Sequence, residues 1–188
     1  MSFLISLDIK LFYFFNNSIA NSVFDVIMPV ITDLDNWLIP IAIFWFYLII
    51  KGGKRGRIVA ILIIPVIILT DQTSSAILKP WIGRIRPCYE LDHVRMLVGC
   101  GGKLSFPSSH ATNMAGFAVL FSLFYSRQWY IYWSLAVLIG FSRVYVGKHY
   151  PLDVLGGFVI GALLGWVIYY MYQVLASKLE WMKLNNSE

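Results

Sequence analysis

Charge, cysteine and histidine are what this sequence has least of. Charged residues make up 13% of the 188-residue chain, which holds 10 acidic side chains, 2 cysteines and 3 histidines. The carboxylates are scattered, so nothing resembles the cluster that a magnesium or calcium site needs. The cysteines and histidines do not follow zinc-ligand spacing, and no glycine-rich phosphate loop is present. No metal and no cofactor are therefore expected. Internal repeats, low-complexity tracts and Pro/Gly/Ser linkers are also missing, so residues 1–188 read as a single domain. Residues 1–9 hold no Lys or Arg, and no small-residue cleavage site follows them. A cleaved secretory signal is not expected.

What the chain has in excess is apolar side chain. Hydrophobic residues reach 59%, and the mean hydropathy is +0.69. Long apolar runs recur at 37–50, 58–70 and 152–172. A bilayer core of ~30 Å takes ~20 apolar residues of helix to cross, and a water-soluble domain has no use for several such runs. The expected fold is an all-α integral membrane protein with about six transmembrane helices in one bundle. The helices are placed at about 18–33, 36–50, 57–79, 108–126, 129–147 and 152–176. Residues 7–15 read as a short interfacial helix or as the start of the first span. The stretch 84–105 is the one long hydrophilic loop.

Alternating sides of the membrane sorts the cations. The basic loop at 51–57, the turn at Arg127 and the tail after residue 175 share one side, which the positive-inside rule makes cytoplasmic. The other side receives Lys79, Arg84, Arg86, Arg95, Lys103, Arg143 and Lys148, where that rule expects few. Either charge bias is noisy over short loops, or these cations neutralise an anionic substrate. The net charge of +5 supports neither by itself.

Three clusters stand at the outer ends of helices. The first runs from Lys79 to Pro87, where Pro80 and Pro87 are expected to bar a regular helix and present Lys79 and Arg86 from a bent backbone. Alone it reads as an interfacial anchor. With partners it is a phosphate clamp, since a guanidinium fork and a mobile ammonium both suit phosphate oxygens. The second runs from Phe106 to His110. Pro107, Ser108 and Ser109 open a helix whose free N–H groups and dipole favour an anion, with His110 alongside. The third runs from Ser142 to Asp153. Pro151 starts a helix, placing Asp153 in its first turn, either as a plain cap or within reach of His149. A carboxylate bonded to one ring nitrogen leaves the other free to attack. Together the clusters supply cations, donors, a nucleophile and an acid, which suits phosphoryl transfer.

These strings, Lys-x6-Arg-Pro, Pro-Ser-x-His and Ser-Arg-x5-His-x3-Asp within residues 79–153, resemble the type-2 phosphatidic acid phosphatase superfamily, which includes the vanadium haloperoxidases. The resemblance implies that Lys79, Arg86 and Arg143 hold the phosphate, with Ser108 and the amide of Ser109 completing the cradle. It implies that His149 attacks phosphorus, Asp153 orients it and His110 protonates the leaving oxygen. One position departs from the pattern: Ser109 stands where Gly is usual, and Gly tolerates closer approach of a phosphate.

The expected function is a metal-independent membrane lipid phosphatase working through a phosphohistidine. Its expected setting is a bacterial cytoplasmic membrane, with the active site at the extracytoplasmic, periplasmic end. Undecaprenyl diphosphate, phosphatidylglycerol phosphate, phosphatidic acid and lipid A phosphate all fit. The partners expected are that lipid and the bilayer, with no nucleic acid and no obligate protein. Arg84, Glu90, Asp92 and Arg95 of the outer loop read as headgroup contacts or as solvated loop residues. Asp71, about two turns below Lys79, reads as a partner for a site cation or as a helix-packing group. Cys88 and Cys100 both lie in the outer loop, an oxidising setting in which a disulfide between them is expected. The alternatives are a vanadate-dependent haloperoxidase, whose branch is soluble, and a non-catalytic polytopic transporter, which has no use for the paired histidines.

Overall fold

The computed structural model describes residues 2–185, and among these there is no strand, only helices and one isolated antiparallel bridge between Ile85 and Leu104. Helix α1 (Ser2–Tyr13) runs into a π-turn at Phe14–Ser18 and is followed by α2 (Ser22–Thr32) and α3 (Leu38–Ile50). Asn21 caps α2 by accepting from the amides of Val23 and Phe24. At its end Asp33 caps the short turn Leu34–Trp37, which breaks the chain so that α2 and α3 meet at 72°. At 1.5 Å per residue, α2 and α3 are each too short to cross a ~30 Å core alone. Together they make one broken apolar pair.

Helix α4 (Gly53–Gln72) does not stop before Pro80, as the two prolines suggested. It continues through a π-turn at Thr73–Leu78 into α5 (Lys79–Ile82), a 30-residue helix in all. Proline has no N–H to give to the preceding turn, and the wider π-turn absorbs that loss. Gly83, at φ 68°, then ends the helix, and α6 (Pro87–Glu90) is a single turn. The rest are α7 (Ser109–Phe124), α8 (Trp129–Tyr145) and α9 (Pro151–Asn185). Among the described residues, Gly53–Ile82 and Pro151–Leu179 are long and apolar enough by themselves to cross a membrane, and α2 with α3 would be a third span.

Helix α7 is the hub. Its buried face is small: Ala111, Thr112, Ala115, Gly116 and Ala118 are all buried. Opposite them α9 presents Gly157, Gly161 and Gly165 at four-residue intervals; a Cβ at Gly161 would overlap the Thr112 carbonyl. Small faces of this kind let helix backbones meet where no hydrophobic force drives them together. Away from these seams the apolar side chains point outward, such as Ile39 at 73% and Ile61 at 66% exposure. Lipid, not water, suits that surface.

The 84–105 loop is anchored rather than loose. Asn16 reaches it from the π-turn after α1, donating to the carbonyls of Arg95 and Tyr145 and accepting from the Arg95 amide. Arg95 pairs with Asp25 of α2 at 2.6 Å, and the Tyr145 hydroxyl donates to that same carboxylate at 2.7 Å. Cys88 and Cys100 are joined by a disulfide, with 6.4 Å between their Cα atoms.

Candidate active site

The three clusters, read as separate strings in the sequence, meet at one end of α7. The Ile85–Leu104 bridge sets the first against the second: the Arg86 amide donates to Lys103 at 3.1 Å, and the Ser105 amide to Arg84 at 2.7 Å. The Ser108 amide donates to the Asp153 carbonyl at 3.0 Å, fastening the second cluster to the third. Local hydrogen bonds therefore hold in register what distant segments contribute.

His149 lies in the connection between α8 and α9 and is 2% exposed. Its Nδ1 faces Ser105 Oγ at 3.3 Å and Asp153 Oδ2 at 3.5 Å. The Ser105 hydroxyl itself donates to Asp153 Oδ2 at 2.5 Å, so it is wedged between the histidine and the acid. That leaves Nε2 as the nitrogen without an acid beside it. Burial first, and then the charges of Arg86, Arg143, Lys79 and Lys148, push the His149 pKa well below the usual histidine value. A neutral imidazole with one free nitrogen is a competent nucleophile.

The cations are arranged around it. Lys79 gives its ammonium to the carbonyls of Pro107 and Ser105. Arg86, nearly buried, spends Nε on the Leu104 carbonyl at 3.1 Å. Arg143, 4% exposed, uses one terminal nitrogen on the Thr32 hydroxyl at 2.5 Å. Its Nε is buried with no partner, and so is the hydroxyl of Ser108. Unpaired buried donors are costly, which sets these two apart from the other buried polar groups of the site. Ser108 caps α7 through no side-chain bond of its own, so the first-turn amides after it, beginning with Ser109, carry no side-chain cap. His110 stands one position on and lines a cleft of about 670 Å³ together with Arg143, Lys148, Thr32 and Asp33. Among the described residues no group of His, Cys, Asp and Glu is arranged to hold a metal.

Sequence reasoning missed three residues here. Arg84, read from the sequence as a headgroup contact or a solvated loop residue, is paired with two buried acids. It donates to Asp153 Oδ1 at 2.8 Å and to Asp8 Oδ2 at 2.6 Å, and its guanidinium lies 3.9 Å from the Tyr150 ring centre. Asp8, from α1, is 1% exposed and also accepts from the Leu152 amide at 2.8 Å. The third is Ser105. A single acid in an apolar N-terminal helix was the available signal for Asp8; nothing in its spacing pointed to residue 84. Of the other loop residues, Glu90 accepts from the Tyr150 hydroxyl at 2.8 Å through its carboxylate, and Asp92 accepts from Tyr13 through its backbone carbonyl. Asp71 makes no ion pair among the described residues; its backbone carbonyl accepts from the hydroxyls of Ser74 and Ser75, both about one turn further along the helix, and Ser75 also reaches its carboxylate at 3.4 Å.

A helical, lipid-exposed protein with cations, hydroxyls and a neutral histidine gathered at a helix start has the make-up of a membrane enzyme that handles phosphate esters. Comparison with known proteins gives the family. A model described as the PAP2 superfamily matches residues 57–176, and the chain belongs to that family. A lipid A 4'-phosphatase of Bacteroides thetaiotaomicron is 29% identical, over 96% of this chain and 83% of the relative. Among solved structures, LpxE of Aquifex aeolicus matches with a TM-score of 0.69 at 25% identity, over 87% of this chain and 95% of that one. A transmembrane PAP2-type phosphatidylglycerolphosphate phosphatase from Bacillus subtilis matches at 0.66 and 27%, over 92% and 88%. The chain is thus a phosphoric ester hydrolase of the membrane lipid phosphatase class. This sets aside the transporter reading.

Proposed function

We propose that this chain, as one domain of residues 1–188, hydrolyses a lipid phosphomonoester or diphosphate without a metal, through a phosphohistidine at His149. The observation that carries this reading is the pair of buried, unpartnered donors, Ser108 Oγ and Arg143 Nε, in the shell of cations around that histidine. Lys79, Arg86 and Arg143 hold the phosphate, with the Ser108 hydroxyl and the Ser109 amide completing the cradle. His149 Nε2 attacks phosphorus, the bond to the leaving oxygen breaks, and His110 supplies that oxygen with a proton. Water then splits the N–P bond with His110 as base, releasing phosphate and restoring His149. Asp153 and Ser105 hold the proton on Nδ1, so that Nε2 keeps its lone pair. Charge neutralisation that a metal supplies elsewhere comes here from three fixed cations.

In the same reading about six helices cross the membrane, with 84–105 as an extracytoplasmic loop over the site. The basic 51–57 loop and the Cys88–Cys100 bridge support that orientation. A bacterial cytoplasmic membrane with the site on its outer side follows. A lipid then reaches the cleft sideways from the bilayer. The phosphate of lipid A, phosphatidylglycerol phosphate, phosphatidic acid and undecaprenyl diphosphate are the candidates. The test is phosphate release from a panel of these lipids by purified protein, with EDTA and with vanadate. Release should survive EDTA and be blocked by vanadate, which takes the five-coordinate shape of the transition state. Activity lost to EDTA and restored by magnesium would overturn the mechanism.

A further inference from the structure

Lys148 belongs to none of the groups assigned to the scissile phosphate, yet it lines the cleft beside His110 and Arg143. It follows Gly147, whose φ of 88° turns the chain between α8 and α9. A side chain at Gly147 would press on the Arg95 carbonyl and the Met96 sulfur, so packing against the outer loop fixes that turn. No carboxylate lies within ion-pair distance of the Lys148 ammonium among the described residues. Asp33, also on the cleft wall, acts on it only at longer range. Burial, and then the charges of Arg143 and Arg86, lower the Lys148 pKa to about 8. A half-buried cation that repels its neighbours is a cost until an anion arrives.

The geometry says which anion. In-line displacement puts nucleophile and leaving group on opposite sides of phosphorus. His149 is buried away from the cleft wall, whereas His110 and Lys148 line it. The leaving group therefore departs into the cleft, past both. A monoester departs as an alcohol, which takes a proton from His110 and gives Lys148 nothing to neutralise. A diphosphate departs as a lipid phosphate, and its charge arrives where Lys148 stands. A cleft of about 670 Å³ leaves room for that second phosphate.

We propose that Lys148 is a specificity-determining residue that recognises a second phosphate on the leaving group, and that lipid diphosphates are the preferred substrates. This rests on the roles given above to His149 and His110. In the step, the bond from Nε2 to the terminal phosphorus forms and the bridging P–O bond breaks. The bridging oxygen keeps the electron pair and leaves on the lipid phosphate, beside the ammonium. Water then releases inorganic phosphate from His149.

The full chain, in mixed micelles, is assayed on farnesyl phosphate and farnesyl diphosphate, together with Lys148→Met and Lys148→Arg. Lys148→Met should lower the diphosphate-to-monophosphate ratio of kcat/KM by ~10- to 100-fold, the size of a lost contact to a charged group. Lys148→Arg should hold that ratio within ~3-fold of the unaltered protein, since the charge is kept. An equal fall on both substrates would overturn the proposal. Unaltered protein supplies a test that needs no variant: monophosphate preferred over diphosphate would also overturn it. A third arm compares lipid A carrying two separate phosphomonoesters with its singly phosphorylated form. Dependence on Lys148 there, and not with farnesyl diphosphate, refutes the leaving-group assignment. Release from none of these lipids by the unaltered protein refutes the phosphatase reading itself, a different failure from an unchanged ratio.

Discussion

Replacing Arg84 by methionine removes the guanidinium that joins Asp8 to Asp153 and keeps a side chain of similar reach. Both carboxylate side chains are fully buried, while the arginine side chain is 22% exposed. Removing one partner of a buried ion pair costs ~3–5 kcal/mol. Asp153 retains bonds from Ser105 and the Tyr150 amide, and Asp8 retains one from Leu152, so the lower end, ~3 kcal/mol, applies. The catalytic loss comes through Asp153, which shifts once one of its oxygens has no partner. A misplacement of ~1 Å at a catalytic group costs ~100-fold. Arg84→Met should therefore lower kcat by ~100-fold and leave KM within ~3-fold, because the cradle cations are untouched. Asp8→Asn should lower kcat by ~10-fold, and by less than ~2-fold when Arg84 is already methionine, since it acts through the arginine. The assay is phosphate release from a lipid phosphate in mixed micelles, with thermal unfolding in the same detergent as the stability measure. Full kcat in Arg84→Met, or the same Asp8→Asn factor in both backgrounds, would refute the reasoning.

The acid limb of kcat/KM should lie below the ordinary histidine range of about 6.5, because burial and four cations hold His149 neutral. The sign also fixes stability: the unfolded chain takes up that proton first, so His149's contribution is present above about pH 6.5 and is lost as pH falls below it. A limb centred at or above that value in a pH 5–8 titration would contradict the assignment. His149→Ala should form no acid-labile phosphoenzyme. His110→Ala should lose ~100- to 10,000-fold on a lipid substrate yet keep more activity on an aryl phosphate, whose leaving group needs no proton. Identical leaving-group dependence in the two variants would count against separate roles. Protein purified from its native membrane and denatured without reductant should show no free thiol, the Cys88–Cys100 bridge being worth ~3 kcal/mol in the chain-entropy picture. Two free thiols would refute the bridge and weaken the argument for the outside location of the loop.

Much of this protein was legible along the chain. The apolar runs dictate helices in a lipid solvent, because unpaired backbone groups are too costly there. The helix start at Pro151 follows from local chemistry, as a proline favours the first turn, whereas α7 starts at Ser109 with no side-chain cap from Ser108. The candidate residues were also legible, because cations, hydroxyls and histidines are rare enough in an apolar chain to be noticed. Other features depend on packing that no local pattern encodes. The two prolines near Lys79 suggested a break there, and the break comes at Gly83, between them; a π-turn at Thr73–Leu78 lets the helix pass Pro80 and end at Ile82. The short segments around Asp33 looked like two spans, and the structure joins them as one broken pair bent by 72° at the turn Leu34–Trp37. Arg84 shows the division most clearly. Its partners lie at positions 8 and 153, and only folding reveals whether a loop arginine meets water, a headgroup or two buried acids. Sequence determined which groups exist and which helices carry them. The tertiary structure decided which charges face one another, because an ion pair depends on distance in space and on the water excluded around it.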